Sequence, residues 1–248
     1  MPLDTDLWLA MAVVVAAGVI SGLAGFGFGL ASVPPLLLIY DPPTVVAIGS
    51  LIVVVTLWVV VWGAWGEIRV RTVAGLGPGA AVGLVVGVTL LRRLEPDAIR
   101  LLAGATVAGF SLLLLSGARV PGAGSRWAVP IAGFASGALN ASVGVSGPPV
   151  VALLAARNLP PAAFRTTATA YFLLVNGATL VVLAWQHLLT RDHLVIAALL
   201  IPGALLGTAL GRRLVRFVSP LAFRRITLGL LLATGLSAAA GALARLWW

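Results

Sequence analysis

The chain has 248 residues, of which 60% are apolar and only 9% are charged. Its mean hydropathy of +1.11 excludes a water-soluble fold, which needs a largely charged exterior over its core. The net charge of +9 would suit a nucleic-acid binder, but that function requires basic residues gathered on one solvated face. The composition predicts an all-α, polytopic integral membrane protein in contact with the lipid bilayer and without a nucleic-acid partner.

Charged residues mark the loops between apolar runs. All sixteen basic residues are arginines, and like the seven acidic residues they lie at the ends of apolar runs or between them. Arginine in short loops holds those loops on the cytoplasmic side, so the excess charge is interpreted as a topology signal. Binding of lipid headgroups or nucleic acid is the alternative. The acidic start of the chain is unlike a secretory signal, and the first apolar run is expected to be retained.

Eight uncharged stretches follow one another along the chain, at 7–40, 44–65, 73–91, 101–118, 127–156, 166–186, 194–211 and 226–244. About 20 helical residues cross a bilayer, so six of the stretches fit one crossing each. The stretches 7–40 and 127–156 are too long, since the first as one straight helix would measure about 51 Å. Each of these two is predicted to form a helix, a break and a short helix.

Glycine clusters and prolines locate the predicted breaks. The first long stretch carries a glycine-rich segment at 22–29, followed by Ser32 and Pro34. A hydroxyl N-cap followed by proline in the first turn is typical of a helix start, so Ser32 is predicted to begin the first short helix. Ser146 and Pro148 carry the same pattern in the second long stretch.

The same landmarks recur in the same order in the two halves of the chain. Examples are Gly18, Ser21 and Gly22 in the first half, against Gly133, Ser136 and Gly137 in the second. The recurrence predicts an internal duplication within one membrane domain, with repeats at 1–122 and 123–248.

Two topologies are open for these repeats. If each broken stretch turns back as a hairpin, the repeats are inverted, both termini lie outside, and 11 arginines lie inside against 5 outside. If each broken stretch crosses once, the repeats are parallel and the counts are 10 and 6. The excess length of the broken stretches favours the hairpin.

Small residues recur every fourth position in two helices, at Gly75, Gly79, Gly83 and Gly87 and at Gly203, Gly207 and Gly211. Such a series lets backbones approach closely. It predicts a packing surface within the bundle or between protomers, so a homodimer is possible.

Broken helices in repeated halves indicate a transporter site near the bilayer midplane, because irregular backbone at that depth must be covered by protein or line a watery cavity. Two short helices that start at the breaks would direct free N–H groups and positive dipole ends towards one point, which favours an anion. The predicted substrate-binding residues are Gly25, Phe26, Gly27, Gly29, Ser32, Pro34, Asn140, Ser142, Gly144, Ser146, Gly147, Pro148, Tyr171 and Asn176. For Tyr171 and Asn176, and for Ser50 as a further candidate, hydrogen bonding between helices is an equally good interpretation.

No Asp, Glu, Lys, Arg or His lies within an uncharged stretch, which disfavours cation transport and carboxylate proton relays. The same feature argues against an enzyme, which would need a nucleophile with a base or paired carboxylates. No catalytic residue, metal site or cofactor is therefore predicted. His187 and His193 are expected in one solvated loop.

The two glycine-rich breaks that run into Pro34 and Pro148 resemble the sulfite exporter TauE/SafE family, also called the toluene sulfonate uptake permeases. The resemblance covers nearly the whole chain. It implies a bacterial inner-membrane permease for sulfite, sulfoacetate, another sulfonate or a related anion. Family members often have a denser glycine run in the second repeat, where this chain has Asn140 and Ser142. The resemblance therefore does not identify the substrate of this chain. A passive anion channel and a structural membrane protein are the alternatives.

Overall fold

The computed structural model describes residues 5–61, 68–116, 125–157 and 159–214, together with seven single positions between 229 and 241. In these ranges all regular structure is helical, which confirms the all-α prediction there. The helices are α1 Thr5–Ala24, α2 Phe28–Leu36, α3 Pro42–Val61, α4 Val70–Arg93, α5 Pro96–Ser116, α6 Ala128–Val143, α7 Gly147–Ala156, α8 Pro161–Trp185 and α9 Arg191–Leu214. Most of the predicted stretch 226–244 and the predicted division near residue 122 lie outside the described residues.

Within the described ranges, five helices are long and apolar enough to cross a membrane, namely α1, α4, α5, α8 and α9. Each of the two long stretches is broken as predicted, into α1 and α2 and into α6 and α7. Both breaks depend on glycines with positive φ, which are Gly25 at +80°, Gly27 at +97° and Gly144 at +78°. Glycine adopts this left-handed conformation without the steric cost that a Cβ atom imposes.

The predicted start of the first short helix is wrong. The helix α2 begins at Phe28, with Gly27 as its N-cap, and Pro34 and Pro35 lie at its end instead of its beginning. The hydroxyl of Ser32 caps nothing, because it donates a hydrogen bond to the carbonyl oxygen of Phe28 at 2.8 Å, one turn back in the helix. In the second break the predicted helix start is confirmed, since Ser146 occupies the N-cap position of α7 and Pro148 lies in its first turn, although the Ser146 side chain makes no capping hydrogen bond.

Contacts between helix ends give the directions of the helices. The backbone N–H of Arg69, which caps α4, donates to Thr167 near the start of α8 at 3.1 Å. At their other ends, Arg92 of α4 donates to Gln186, which caps α8. These two helices therefore run parallel, and α9, which follows α8 after a short loop, runs back. The end where α4 and α8 begin and α9 ends is called the arginine-rich end below.

Seven of the eleven described arginines lie at this end, and they are Arg69, Arg71, Arg126, Arg157, Arg165, Arg212 and Arg213. The other four lie at the opposite end, and they are Arg92, Arg93, Arg100 and Arg191.

The first broken segment turns back on itself. Helix α1 runs parallel to α9, since Met11 lies against Gly203 and Gly22 against Gly211, so α1 ends towards the arginine-rich end. At the end of α2, the carbonyl oxygen of Leu37 accepts a hydrogen bond from Nε of Arg100 at 3.1 Å, at the opposite end of the bundle. The helices α1 and α2 therefore form a hairpin.

The second broken segment turns back in the opposite sense. Helix α6 runs parallel to α4, with Val129 against Gly75 and Ala141 against Gly87, so α6 begins at the arginine-rich end. Helix α7 returns to that end, because only a few residues separate Ala156 from the start of α8. The two hairpins thus enter the bundle from opposite ends and meet at their tips.

The fourfold-spaced glycines form packing surfaces, as predicted. A Cβ atom on Gly79 or Gly83 would overlap the carbonyl oxygens of Pro130 or Phe134 on α6, and one on Gly207 would overlap that of Val15 on α1. Because a side chain has no room there, glycine is what allows the backbones to touch. A homodimer through any such surface remains a prediction.

The expectation of a solvated histidine loop is wrong for His193. This residue lies in the first turn of α9 and is only 8% exposed. Its Nε2 atom is 3.0 Å from Oγ1 of Thr44 at the start of α3. The contact joins two helix starts at the end of the bundle opposite the arginine-rich end, and it positions α3 against α9.

Candidate functional site

The tips of the two hairpins touch. A Cβ atom on Gly29, in the first turn of α2, would lie 2.6 Å from the carbonyl oxygen of Gly144, which is the C-cap of α6. This approach of backbone to backbone requires glycine at residue 29. Beside the contact lies a cavity of about 40 Å³, which is enough for a few water molecules or a small ionic group.

Both short helices point their N-termini at this cavity. Phe28, the first residue of α2, and Gly147, the first residue of α7, line its wall. The first N–H groups of a helix have no partner within the helix, and the helix dipole places partial positive charge there. In α7 the next two residues are prolines without an N–H group, so Gly147 is the main donor of that helix.

Three polar residues of long helices line the cavity, Ser21, Thr56 and Asn176, and Asn176 offers an amide donor. Asn176 of α8 is 4% exposed and lines the wall, and its Nδ2 atom donates to the carbonyl oxygen of Phe172 at 2.8 Å. The carboxamide nitrogen carries a second hydrogen, for which the described residues show no acceptor. Behind it, Nδ2 of Asn140 donates to Thr179 at 2.7 Å and approaches Oδ1 of Asn176 at 3.4 Å.

Eight of the fourteen predicted site residues line this cavity, and they are Gly25, Phe26, Gly27, Gly29, Gly144, Ser146, Gly147 and Asn176. The other six lie elsewhere, and they are Ser32, Pro34, Asn140, Ser142, Pro148 and Tyr171. Ser32 and Ser142 bond to carbonyl oxygens one turn back in their own helices, those of Phe28 and Ala138. Asn140 packs behind the cavity wall as described above.

The remaining three predicted residues are either buried or line another cavity. Pro34 is buried near the end of α2, and Tyr171 is 2% exposed in the core. Pro148 lines a separate, mostly apolar cavity between α5, α6 and α7. Ser50, the further candidate, is buried in α3 outside the cavity wall.

Sequence reasoning missed several lining residues. The polar ones are Ser21 of α1 and Thr56 of α3, and the apolar ones include Phe28, Val53 and Phe172. Ser21 could have been identified from the sequence, since it is one of the landmarks that recur in the two halves. Thr56 could have been identified in the same way as Asn176, because each is a polar residue within an apolar helix. No sequence feature distinguishes the apolar lining residues.

A comparison with protein-family models decides the relationship of this chain to known proteins. The model of the sulfite exporter TauE/SafE family matches residues 10–238. The chain belongs to this family. The match spans both broken segments and reaches into the residues after α9, so it covers the whole site described above. TauE/SafE is a family of transporters and not of enzymes.

Two curated relatives agree with this assignment. The chain is 30% identical to the "Probable sulfite/organosulfonate exporter TauE" of Cupriavidus necator over 224 residues, which are 87% of this chain and 86% of the relative. It is 30% identical to the "Probable inner membrane transporter protein TsaS" of Comamonas testosteroni over 173 residues, 69% of this chain and 72% of the relative. No solved structure matches. This TauE/SafE-family protein is thus a multi-pass transporter of the inner membrane.

Proposed function

We propose that this protein is a secondary transporter for a small sulfur-containing anion, such as sulfite, sulfoacetate or another sulfonate, bound between the N-termini of α2 and α7. The observation that carries the proposal is the presence of both helix starts, Phe28 and Gly147, in the wall of one cavity. The names of the two relatives, one an exporter of sulfite or organosulfonate, support this class of substrate.

The donors around the cavity suit an oxyanion headgroup. Backbone N–H groups of α2 and of Gly147, together with the carboxamide nitrogen of Asn176, are the donors, and the helix dipoles add positive potential. None of the described residues that line the cavity is acidic. A sulfite or sulfonate group has three oxygens arranged around sulfur, and donors that converge from two sides match that shape.

The two opposed hairpins suggest how the substrate is moved. We propose that residues 1–122 and 123–248 are inverted repeats, related by an axis in the membrane plane that passes near the contact of Gly29 with Gly144. In such transporters the site stays at the interface of the repeats while one repeat rocks against the other. Alternating access would then expose the same cavity first to one side of the membrane and then to the other.

Replacement of Gly147 tests the position of the site. A Cβ atom on this residue would meet only Cδ1 of Leu30, at 3.8 Å, so Gly147→Ala fits with little change. The branched side chain of Gly147→Leu would occupy the space that the proposed ligand needs in a cavity of about 40 Å³. We expect Gly147→Leu to lose sulfite or sulfonate binding by at least about a hundredfold, while Gly147→Ala keeps it within about threefold.

The measurement is the shift in melting temperature of the purified, detergent-solubilised variants with sulfite, sulfoacetate, taurine, sulfate and organic carboxylates. Uptake into proteoliposomes is measured alongside. Unchanged anion affinity in a folded Gly147→Leu protein would contradict the proposed site. Flux that never saturates and shows no counterflow would indicate a passive channel, and a wild type whose melting temperature no anion shifts would indicate a structural role.

A further inference from the structure

A second cavity adjoins the candidate site on the side of the arginine-rich end. Its volume is about 290 Å³, and it shares four wall residues with the smaller cavity, which are Ser21, Gly25, Thr56 and Leu57. Because the two cavities have these residues in common, they adjoin, and the larger one is called the vestibule below.

Two arginines line this vestibule, Arg165 of α8 and Arg212 of α9, and both are exposed. The side chain of Arg165 lies across the first break, since its Cγ, Cδ and Nε atoms are 3.3, 3.4 and 3.5 Å from the position of a Cβ atom on Gly25. Arg212 follows the close contact of α9 with Gly22. Neither guanidinium has a carboxylate partner within the described ranges.

One face of α8 connects the vestibule with the site. Arg165 and Thr169 line the vestibule, and Phe172 and Asn176 line the smaller cavity. Their spacing of four, three and four residues places all of them on the same side of the helix. These four residues therefore form one continuous stripe on α8 from Arg165 to the carboxamide of Asn176.

At the second hairpin tip, the described residues show an aliphatic contact instead of an arginine. A Cβ atom on Gly144 would lie 3.2 Å from Cγ2 of Val33 and 3.8 Å from the backbone of Val46. Both valines are buried. An aliphatic contact thus closes the second break, whereas an arginine and an open cavity lie over the first.

We propose that Arg165 and Arg212 form a recognition site for oxyanion headgroups in this vestibule, and that substrate occupies it on the way between the arginine-rich end and the site. This inference rests on the proposed function. A guanidinium binds an oxyanion through two parallel hydrogen bonds, and two positive charges in a cleft raise the local anion concentration. Because these charges act before the anion reaches the helix N-termini, they set the half-saturation concentration more than the maximal rate.

The test compares Arg165→Gln and Arg212→Gln with Arg213→Gln in proteoliposomes that take up sulfite. Arg213 is the matched control, because it is the exposed neighbour of Arg212 in the last turn of α9 and does not line the vestibule. We expect each of the first two variants to raise the half-saturation concentration about five- to tenfold, with the maximal rate within about twofold. We expect Arg213→Gln to match the wild type.

Two further readouts separate recognition from structural damage. Added salt raises the half-saturation concentration of the wild type by screening, and this salt dependence should be weaker in Arg165→Gln. Arg165→Lys, which keeps the charge but loses the two-pronged geometry, should restore part of the loss. Equal effects of all three glutamine variants, or a fall in maximal rate without a change in half-saturation, would overturn the inference. If the wild type took up no anion, the proposed function itself would fail.

Discussion

At the scale of single residues, glycine defines the site. Gly25, Gly27 and Gly144 take a left-handed conformation that ends one helix and starts the next, and Gly29 lets the two tips touch. All four could be selected from the sequence, because a cluster of glycines within a stretch too long for one crossing indicates where the helix breaks. Hydroxyl and amide side chains were harder to assign, since each can bond either to a ligand or to its own helix.

Asn176 and Thr179 give a prediction at this scale. Removal of one hydrogen bond to a charged group costs about 1.5 to 3 kcal/mol, so Asn176→Ala is expected to weaken anion binding by at least about tenfold. Thr179→Val removes the partner of Asn140 at 2.7 Å without touching the cavity wall, and it should lower the melting temperature but leave anion affinity unchanged. Thermal-shift titrations of both variants measure this. Equal loss of affinity in both would show that Asn176 acts only through packing.

At the scale of the elements, length and composition predicted the two breaks but not the start of α2. The pattern of serine followed by proline starts α7 at Ser146 and Pro148, yet near Ser32 and Pro34 it lies inside and at the end of α2. The difference is tertiary, because α2 has to begin at Phe28 for its first turn to meet Gly144 on the other hairpin. A local pattern contains no information about that contact.

The glycine series in α4 gives a prediction for the packing of elements. A Cβ atom on Gly83 would overlap the backbone of Phe134 in α6, whereas one on Gly77 in the same helix meets nothing within 4 Å. We expect Gly83→Ala to destabilise the protein by about 1 to 3 kcal/mol and to lower its melting temperature. Gly77→Ala should be neutral or stabilising by up to about 1 kcal/mol, since alanine favours helix. Equal melting temperatures of the two variants would contradict the packing described for α4 and α6.

At the scale of the whole molecule, the arginines indicate which end faces the cytoplasm. The arginine-rich end holds seven of the eleven described arginines, and arginine in short loops favours the cytoplasmic side. In the sequence, the number of arginines assigned to the inside differs by only one between the two topologies, which is too little to distinguish them. The contacts of Arg69 with Thr167 and of Arg92 with Gln186 are what give the directions of the helices.

The absence of cysteine from the chain allows this orientation to be tested with single introduced thiols. Ala156→Cys lies at the arginine-rich end and Leu94→Cys at the opposite end, and both positions are exposed. We expect a membrane-impermeant maleimide applied to intact cells to label Leu94→Cys, and to label Ala156→Cys only after the inner membrane is permeabilised. Labelling of both from the same side would favour the parallel topology, in which the two loops share a face.

The sequence by itself determined that this is a helical membrane protein, where two of its helices break, and that glycine backbone forms the breaks. These properties follow from hydropathy and from local conformational cost, which are functions of residue type and spacing. Only the tertiary structure decided that the two breaks share one cavity, that Ser32 and Ser142 face their own helices, and that Arg165 lies over Gly25 instead of in a loop. Such facts depend on residues far apart in the chain, whose approach is set by the direction and packing of whole helices.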